Sequence, residues 1–202
     1  EHLAGLRNLR ILRLFDTHVG DNGMEHLAGL EDLQELNLAD TQVGDAGLAH
    51  LSNLTDIDEL SLWHTNVSDE GLTHLRLLEN LRELDLGNTR VTDAGLEHLR
   101  VLPSLRDLGL RNNNINGAGL ERLVGMGNLR ALDLTDTQVG DSGLMHLGAL
   151  MDIEELELRD TIITDAGLEH LKSLSDLRRL DLAHTRITDA GLEHLKGLDN
   201  LR

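Results

Sequence analysis

Histidine recurs at a fixed interval in this sequence, and it is the side chain best suited to metal binding or proton transfer near neutral pH. The histidine column, in which Arg122 takes the one missing place, consists of His2, His26, His50, His74, His98, His146, His170 and His194. A zinc site on a helix needs two histidines four residues apart, and no pair has that spacing. We therefore interpret the column as packing against, or hydrogen bonding to, the next turn of the chain.

Carboxylates form a second group that could perform chemistry, either as an acid and base pair or as a calcium site. The candidates are Asp85, Asp133, Glu157 and Asp181. Ca²⁺ needs six to eight converging oxygen atoms, and a glycosidase pair needs a pocket between two carboxyl groups. Residues that recur in parallel rows satisfy neither requirement. The sequence also contains no cysteine and no glycine-rich phosphate loop. We expect no enzyme activity, no metal and no cofactor.

The composition favours a protein partner over other macromolecules. The 202 residues carry a net charge of -18, which repels nucleic acids and anionic membrane surfaces and favours a partner with a basic surface. No apolar run reaches the length of a membrane span. The chain contains only one Phe and one Trp, so aliphatic side chains must fill its core.

A repeat of 24 residues organises these groups. Leu84 lies in the segment Leu81-Arg82-Glu83-Leu84-Asp85-Leu86, and its counterparts are Leu12, Leu36, Leu60, Leu108, Leu132, Leu156 and Leu180. Alternation around Leu84 and Leu86 predicts a short strand, whereas the spacing of Leu96, Leu99 and Leu102 predicts a short helix. One such unit cannot bury its own apolar face, so eight repeats must stack into a solenoid.

This pattern resembles the leucine-rich repeat family, in its ribonuclease-inhibitor-like form with a helix on the convex side. The Thr-Asp-Ala-Gly-Leu stretches at 92–96, 164–168 and 188–192 are similar to repeats of bacterial members and of F-box-type substrate receptors. The resemblance covers the whole chain. It implies a right-handed α/β horseshoe in which short convex helices back a parallel concave sheet, and it implies protein recognition.

Four further columns have structural interpretations. Residues before each helix are of helix N-cap types, and an Asp at the first helical position suits the helix dipole, as at Thr92 and Asp93. A recurrent Gly, such as Gly95, predicts a tight backbone approach between turns. A Thr column, with Asn113 as its exception, predicts buried hydroxyls bonded to the backbone of the turn.

Residues between the strand leucines would face outward on the concave side, and they predict a mostly acidic concave face that binds the partner, as Glu83 and Asp85 show in the fourth repeat. One position along them, here called the aromatic column, holds both aromatic residues of the chain, two strands and roughly 10 Å apart; it consists of Phe15, Ala39, Trp63, Gly87, Arg111, Thr135, Arg159 and Ala183. We predict that Phe15 and Trp63 are apolar anchors for a partner; large residues alternate with small ones, which leaves each large side chain room. The complete predicted site is Phe15, Asp16, Asp40, Glu59, Trp63, His64, Asp85, Arg111 and Arg159.

The whole of 1–202 is predicted to be a single leucine-rich repeat domain. Neither end shows a polar capping repeat, so we expect a fragment of a larger protein. A scaffold that self-associates through uncapped solenoid ends is the alternative to a partner-binding module. The lack of cysteine favours the cytoplasm or delivery from a bacterium.

Overall fold

A computed structural model of the protein describes residues 5–202, so His2 of the histidine column lies outside the described residues. Eight strands of three residues each form one parallel sheet in chain order. They are β1 (Ile11–Arg13), β2 (Glu35–Asn37), β3 (Glu59–Ser61), β4 (Glu83–Asp85), β5 (Asp107–Gly109), β6 (Ala131–Asp133), β7 (Glu155–Glu157) and β8 (Arg179–Asp181). Equivalent leucines pair across every interface, as Leu60 does with Leu84. The predicted repeat is therefore also the register of the sheet.

Short helices lie on the opposite side of the solenoid. The α-helices are α1 (Asp21–Met24), α2 (Asp45–Leu48), α3 (Asp69–Leu72), α4 (Asp141–Leu147) and α5 (Asp165–Leu168). The 3₁₀-helices are Glu25–Leu27, Ala49–Leu51, Thr73–Leu77, Gly95–Val101, Ala118–Leu123, Glu169–Ser173 and Gly191–Leu195. None of the helices in the described chain has the length and apolar character needed to cross a membrane.

The core between these two layers is a continuous stack of aliphatic side chains. In the fourth repeat Leu84 and Leu86 of the strand segment and Leu96 and Leu99 of the helix are at most 2% exposed. Each buried leucine contributes roughly 1.5–3 kcal/mol through removal of its surface from water. The pattern recurs in the neighbouring repeats. Each repeat therefore needs the repeats beside it to bury its apolar side chains from water.

The predicted role of the Thr column is confirmed. Each Thr hydroxyl donates to the carbonyl three residues earlier, for example from Thr41 to Leu38 at 2.7 Å and from Thr65 to Leu62 at 2.7 Å. Asn113 replaces Thr in the fifth repeat and does more, because its amide donates to the carbonyls of Leu86 and Leu110 and its oxygen accepts from Thr89. Burial of these polar groups is therefore compensated by hydrogen bonds.

The aspartates at the first helical position bond to the neighbouring repeat, an interaction that the helix-dipole interpretation did not include. The Asp69 carboxylate accepts hydrogen bonds from the backbone N–H and the hydroxyl of Thr92 in the next repeat, at 2.8 and 2.7 Å. We call the six carboxylates that accept from the next repeat the ladder aspartates; they are Asp21, Asp45, Asp69, Asp93, Asp141 and Asp165. They join consecutive repeats on the helical side.

This ladder refines two predictions. The predicted N-cap positions are confirmed at the five α-helices, but the residues there make no side-chain capping bond; they are Gly20, Gly44, Ser68, Gly140 and Thr164. In the fourth, fifth and eighth repeats Thr92, Asn116 and Thr188 instead accept from the N–H two residues later, and a 3₁₀-helix follows. The predicted backbone approach is confirmed at Gly119, where a Cβ would lie 2.6 Å from the backbone oxygen of Asp93. At most other glycines of the column the close neighbour is a carboxylate: a Cβ on Gly47 would lie 2.6 Å from Asp21 Oδ1.

The fifth repeat lacks a ladder aspartate because Gly117 takes its place. Gly117 adopts φ +100°, a left-handed conformation that side chains disfavour. A Cβ at this position would also lie 2.9 Å from the Cα of Gly143. Close backbone contact between the fifth and sixth repeats therefore replaces the carboxylate bridge at this one junction.

Candidate functional site

Two columns of side chains cover the open sheet face, which we define as the face of the sheet opposite the helices. The Glu column at the first strand position consists of Ile11, Glu35, Glu59, Glu83, Asp107, Ala131, Glu155 and Arg179. The Asp column at the third strand position consists of Arg13, Asn37, Ser61, Asp85, Gly109, Asp133, Glu157 and Asp181. Together they line a groove of about 340 Å³ that runs across strands β2 to β7.

Carboxylates of the Asp column are partly engaged by the backbone. The Oδ1 atom of Asp85 accepts from the N–H of Gly87 at 2.9 Å, and that of Asp133 accepts from the N–H of Thr135 at 2.8 Å. Asp181 makes the same bond to Ala183. These bonds satisfy the N–H group that follows each strand, and each leaves the second carboxylate oxygen without a backbone donor.

Burial, and to a smaller extent neighbouring carboxylates, raise the pKa values of four carboxyl groups on the open sheet face. Burial raises the pKa of Glu83, and the neighbouring charges of Glu59 and Asp107 raise it further. Burial likewise raises the pKa of Asp85 against the opposing effects of the Gly87 N–H and Arg111. The pKa values of Asp107 and Glu157 are raised by burial first and by neighbouring carboxylates second.

Arginines neutralise the two ends of the groove. Arg13 on β1 makes a forked contact with Glu35 on β2, with Nε 2.5 Å from Oε1 and Nη2 2.8 Å from Oε2. Arg179 on β8 lies 3.0 Å from Glu155 Oε2 and 3.7 Å from Glu157 Oε1. Between them lies the acid band, which we define as Glu59, Glu83, Asp85, Asp107 and Asp133. Within residues 5–202 no acid-band carboxylate forms an ion pair.

Each residue of the aromatic column lies directly after the leucine that follows a strand. Phe15 is 61% exposed. Trp63 is half-buried, and the guanidinium carbon of Arg111 lies 5.4 Å from the centroid of its ring. Gly87 lies between them, and a Cβ on Gly87 would be 2.8 Å from both Trp63 Cδ1 and Arg111 Cγ. The predicted room beside Trp63 is therefore occupied by Arg111, whereas Phe15 retains its exposed surface.

The residue after each aromatic-column position belongs to what we call the turn column. Its backbone conformation accounts for the residue types of three predicted site residues. All eight members have φ between 53° and 57°: Asp16, Asp40, His64, Asn88, Asn112, Asp136, Asp160 and His184. Asp, Asn and His tolerate this left-handed conformation better than most residues do. Asp16, Asp40 and His64 line a recess beside the turns rather than the groove. Their residue types are therefore accounted for by backbone conformation.

The structure brings together only part of the predicted site. Glu59 and Asp85 line the groove. His64 accompanies Trp63, with ring centroids 5.3 Å apart, and its Nδ1 lies 2.6 Å from Asp40 Oδ1. Arg159 pairs with the adjacent Asp160 at 3.1 Å. Phe15 and Trp63 are separated by Ala39 on the strand segment between them.

The remaining groove residues were missed as site residues, although the repeat contained the signal. Glu83 and Asp107 occupy the same column as Glu59, and Asp133 occupies the same column as Asp85. These columns predict an acidic concave face, but the three residues were not among the predicted site residues. Like Glu59 and Asp85, they form no ion pair within residues 5–202, which depends on where Arg13 and Arg179 reach.

The histidine column lies on the helical side, away from the groove. Six of its described members are half-buried, and His170 is exposed. These histidines form no side-chain hydrogen bond within residues 5–202, so of the two predicted roles their half-burial favours packing. No group of three or more His, Asp or Glu residues in the described chain is arranged to hold a metal ion.

Comparison with known proteins identifies the repeat. Two family models described as leucine rich repeat match residues 79–139 and residues 5–28, 30–52 and 173–196. No curated protein sequence matches the chain.

Solved structures of bacterial proteins share the architecture. The crystal structure of internalin C2 from Listeria monocytogenes is 32% identical, with a TM-score of 0.80 over 98% of this chain and 81% of that chain. Internalin F from the same species shows the fold alone, at 22% identity and a TM-score of 0.59 over 99% of this chain and 68% of that chain. The chain belongs to the leucine-rich repeat family, whose members are typically protein-interaction modules rather than enzymes.

Proposed function

We propose that this chain binds a protein partner through its open sheet face, and that the partner presents a basic surface there. The acid band carries the proposal. Five carboxylates on four adjacent strands form no ion pair within residues 5–202, whereas Arg13 and Arg179 pair with the carboxylates at the two ends. Such a surface costs free energy through like-charge repulsion, and a cationic partner would relieve that repulsion.

Apolar side chains beside the acid band supply the second part of the proposed interface. Ile11 and Phe15 are 51% and 61% exposed, and both belong to columns of the open sheet face. Trp63 presents its partly exposed ring two strands away, already stacked by Arg111. Trp and Arg are the residue types most often responsible for binding energy at interfaces. We propose that Phe15 and Trp63 anchor the partner while the acid band orients it.

The test is a capture experiment with three variants that remove matched features. Glu83→Gln/Asp107→Asn removes two acid-band charges, and Phe15→Ala/Trp63→Ala removes both aromatics. Glu70→Gln/Glu121→Gln removes two exposed charges from the helical side, where neither carboxylate has a side-chain partner within residues 5–202. All proteins are first compared by circular dichroism and thermal unfolding.

We expect one basic protein to be retained by the wild type and by the Glu70→Gln/Glu121→Gln control, and to be lost or weakened by the other two variants. If all four proteins retained this partner equally, the interface would not lie on the open sheet face. Self-association through the solenoid ends is the alternative. It predicts a mass that rises with concentration in analytical ultracentrifugation and is unaffected by the acid-band substitutions.

A further inference from the structure

The repeat provides an internal comparison that shows what this face can bind. Glu35 and Glu155 occupy the same column as Glu59, Glu83 and Asp107. Each of the two receives a guanidinium group that this chain itself supplies. Arg13 approaches Glu35 with two nitrogen atoms, and Arg179 spans Glu155 and Glu157. The open sheet face thus accepts arginine side chains at both ends.

The central strands keep the acceptors and lack the donors. Position 61 is Ser where β1 has Arg13, and position 131 is Ala where β8 has Arg179. The charges of Arg111 and Arg106 lower the pKa values of Asp85 and Asp107 against the larger effect of burial, but neither arginine forms an ion pair with the acid band within residues 5–202, and the Arg111 guanidinium lies over Trp63. Glu59, Glu83 and Asp107 therefore hold the position of Glu35 with no arginine opposite.

We infer that the acid band is a recognition site for arginine side chains of a protein partner. This inference rests on the proposed function and adds the chemistry of the partner. Arginine is favoured over lysine because its planar fork can bridge two carboxylates, as Arg179 does, whereas an ammonium group acts as a point charge. Adjacent parallel strands lie about 4.8 Å apart, so the acid band from β3 to β6 extends roughly 14 Å.

The dimensions suggest the probe. Side chains four residues apart on a helix are about 5–6 Å apart, close to the strand spacing. An alanine-based peptide with three arginines at four-residue intervals can therefore place successive guanidinium groups along the band. The same peptide with three lysines has equal charge and length, and it serves as the matched control for guanidinium recognition.

Calorimetry at low ionic strength measures both peptides against three proteins: the wild type, Glu83→Gln/Asp107→Asn and Glu70→Gln/Glu121→Gln. We expect the arginine peptide to bind wild type more tightly than the lysine peptide by several fold. Loss of charge-assisted hydrogen bonds in Glu83→Gln/Asp107→Asn should weaken arginine-peptide binding about tenfold or more. The helical-side control should change it less than about twofold, because exposed distant charges are screened.

Three results would overturn the inference. Equal affinity for both peptides would show that the acid band attracts positive charge without recognising the guanidinium group. Equal weakening by the two double variants would show attraction by net charge alone, and no binding of the arginine peptide to wild type would remove the site. If the captured partner still required Glu83 and Asp107 in any of these cases, the proposed function would stand without arginine recognition.

An arginine built into the centre provides a second measurement that needs no partner. Ser61→Arg repeats on β3 the position of Arg13 on β1, so its guanidinium should reach Glu83 on β4 as Arg13 reaches Glu35 on β2. We expect this variant to lower the pKa of Glu83 measured by NMR and to reduce arginine-peptide binding by competition. Ser61→Lys should produce smaller changes. No change in either quantity with Ser61→Arg would contradict the proposed acceptor geometry.

Discussion

Arg111 packs over the ring of Trp63 although the two residues lie two repeats apart, with 5.4 Å between the guanidinium carbon and the ring centroid. The contact closes across Gly87, where the missing side chain leaves space for both. A cation over an indole face is attracted by the ring quadrupole, by about 0.5–1 kcal/mol at an exposed site. The only tryptophan of the chain is thereby held in one orientation on the open sheet face.

Removal of Arg111 tests this contact directly. We expect Arg111→Ala to expose more of the Trp63 ring, to shift its fluorescence to longer wavelength and to lower the free energy of unfolding by about 0.5–1 kcal/mol. Arg159→Ala is the control, because it removes an arginine from the same column at a position where no tryptophan lies beside it. Identical spectra for wild type and Arg111→Ala would show that the contact does not persist in solution.

The ladder aspartates predict a stability difference between two chemically identical substitutions. Asp69→Ala leaves the N–H and hydroxyl of Thr92 without their acceptor, which should cost about 1–3 kcal/mol. Asp189 occupies the same column but accepts no hydrogen bond from another repeat within residues 5–202. Asp189→Ala should therefore cost less than about 0.5 kcal/mol, as for a surface position. Urea unfolding of both variants measures the difference, and equal losses would contradict a bridging role.

The left-handed turn column predicts a loss of stability with one substitution at Asp136 and almost none with another. Its φ is 56°, and its side chain forms no hydrogen bond or ion pair within the described chain. A β-branched side chain is strained in this conformation, so Asp136→Val should lower the free energy of unfolding by about 1–2 kcal/mol. Asp136→Gly should lose little or nothing, since glycine adopts this φ freely. A loss with glycine as large as with valine would show that the aspartate side chain itself is required.

Burial of Glu83 and repulsion by its neighbouring carboxylates predict a pH-dependent gain in stability when its charge is removed. The pKa of Glu83 is raised above its ordinary value of 4.5, so the folded chain binds this proton more readily than the unfolded chain does. Its ionised form therefore opposes folding at neutral pH, and that cost diminishes as pH falls through the raised pKa towards 4.5. Glu83→Gln should stabilise the chain at pH 7 by at most about 0.5 kcal/mol, because solvent screens this partly exposed group.

Thermal unfolding of Glu83→Gln and wild type between pH 7 and 4.5 measures this effect, and the two curves should converge at the acidic end. The lowered pKa values of Asp165 and Glu169 act in the opposite sense, because their stabilisation is lost only as pH falls through those lowered values. Glu70→Gln is the control for removal of an exposed charge from the helical side. A constant difference between Glu83→Gln and wild type at every pH would exclude the raised pKa of Glu83 as its cause.

The leucine and threonine positions illustrate how much of the fold the sequence predicts. Leu84 and its counterparts predicted the eight strands and their pairing, because stacked repeats of equal length turn each sequence column into a row in space. Thr41 and Thr65 were predicted to bond to the turn backbone because a buried hydroxyl must find a nearby partner. Both predictions depend on the repeat spacing, on the burial of apolar faces and of the Thr hydroxyls, and on the resemblance to the leucine-rich repeat family.

The tertiary structure decided which polar groups meet. Asp69 was expected to stabilise its own helix, but it bonds to Thr92 in the next repeat. Trp63 was expected to have free space, but Arg111 fills it across Gly87. The sequence by itself determined the columns and the face on which each lies. Only the tertiary structure decided which carboxylates of a column receive an arginine, because that depends on side-chain conformations and on distances between residues a whole repeat or more apart.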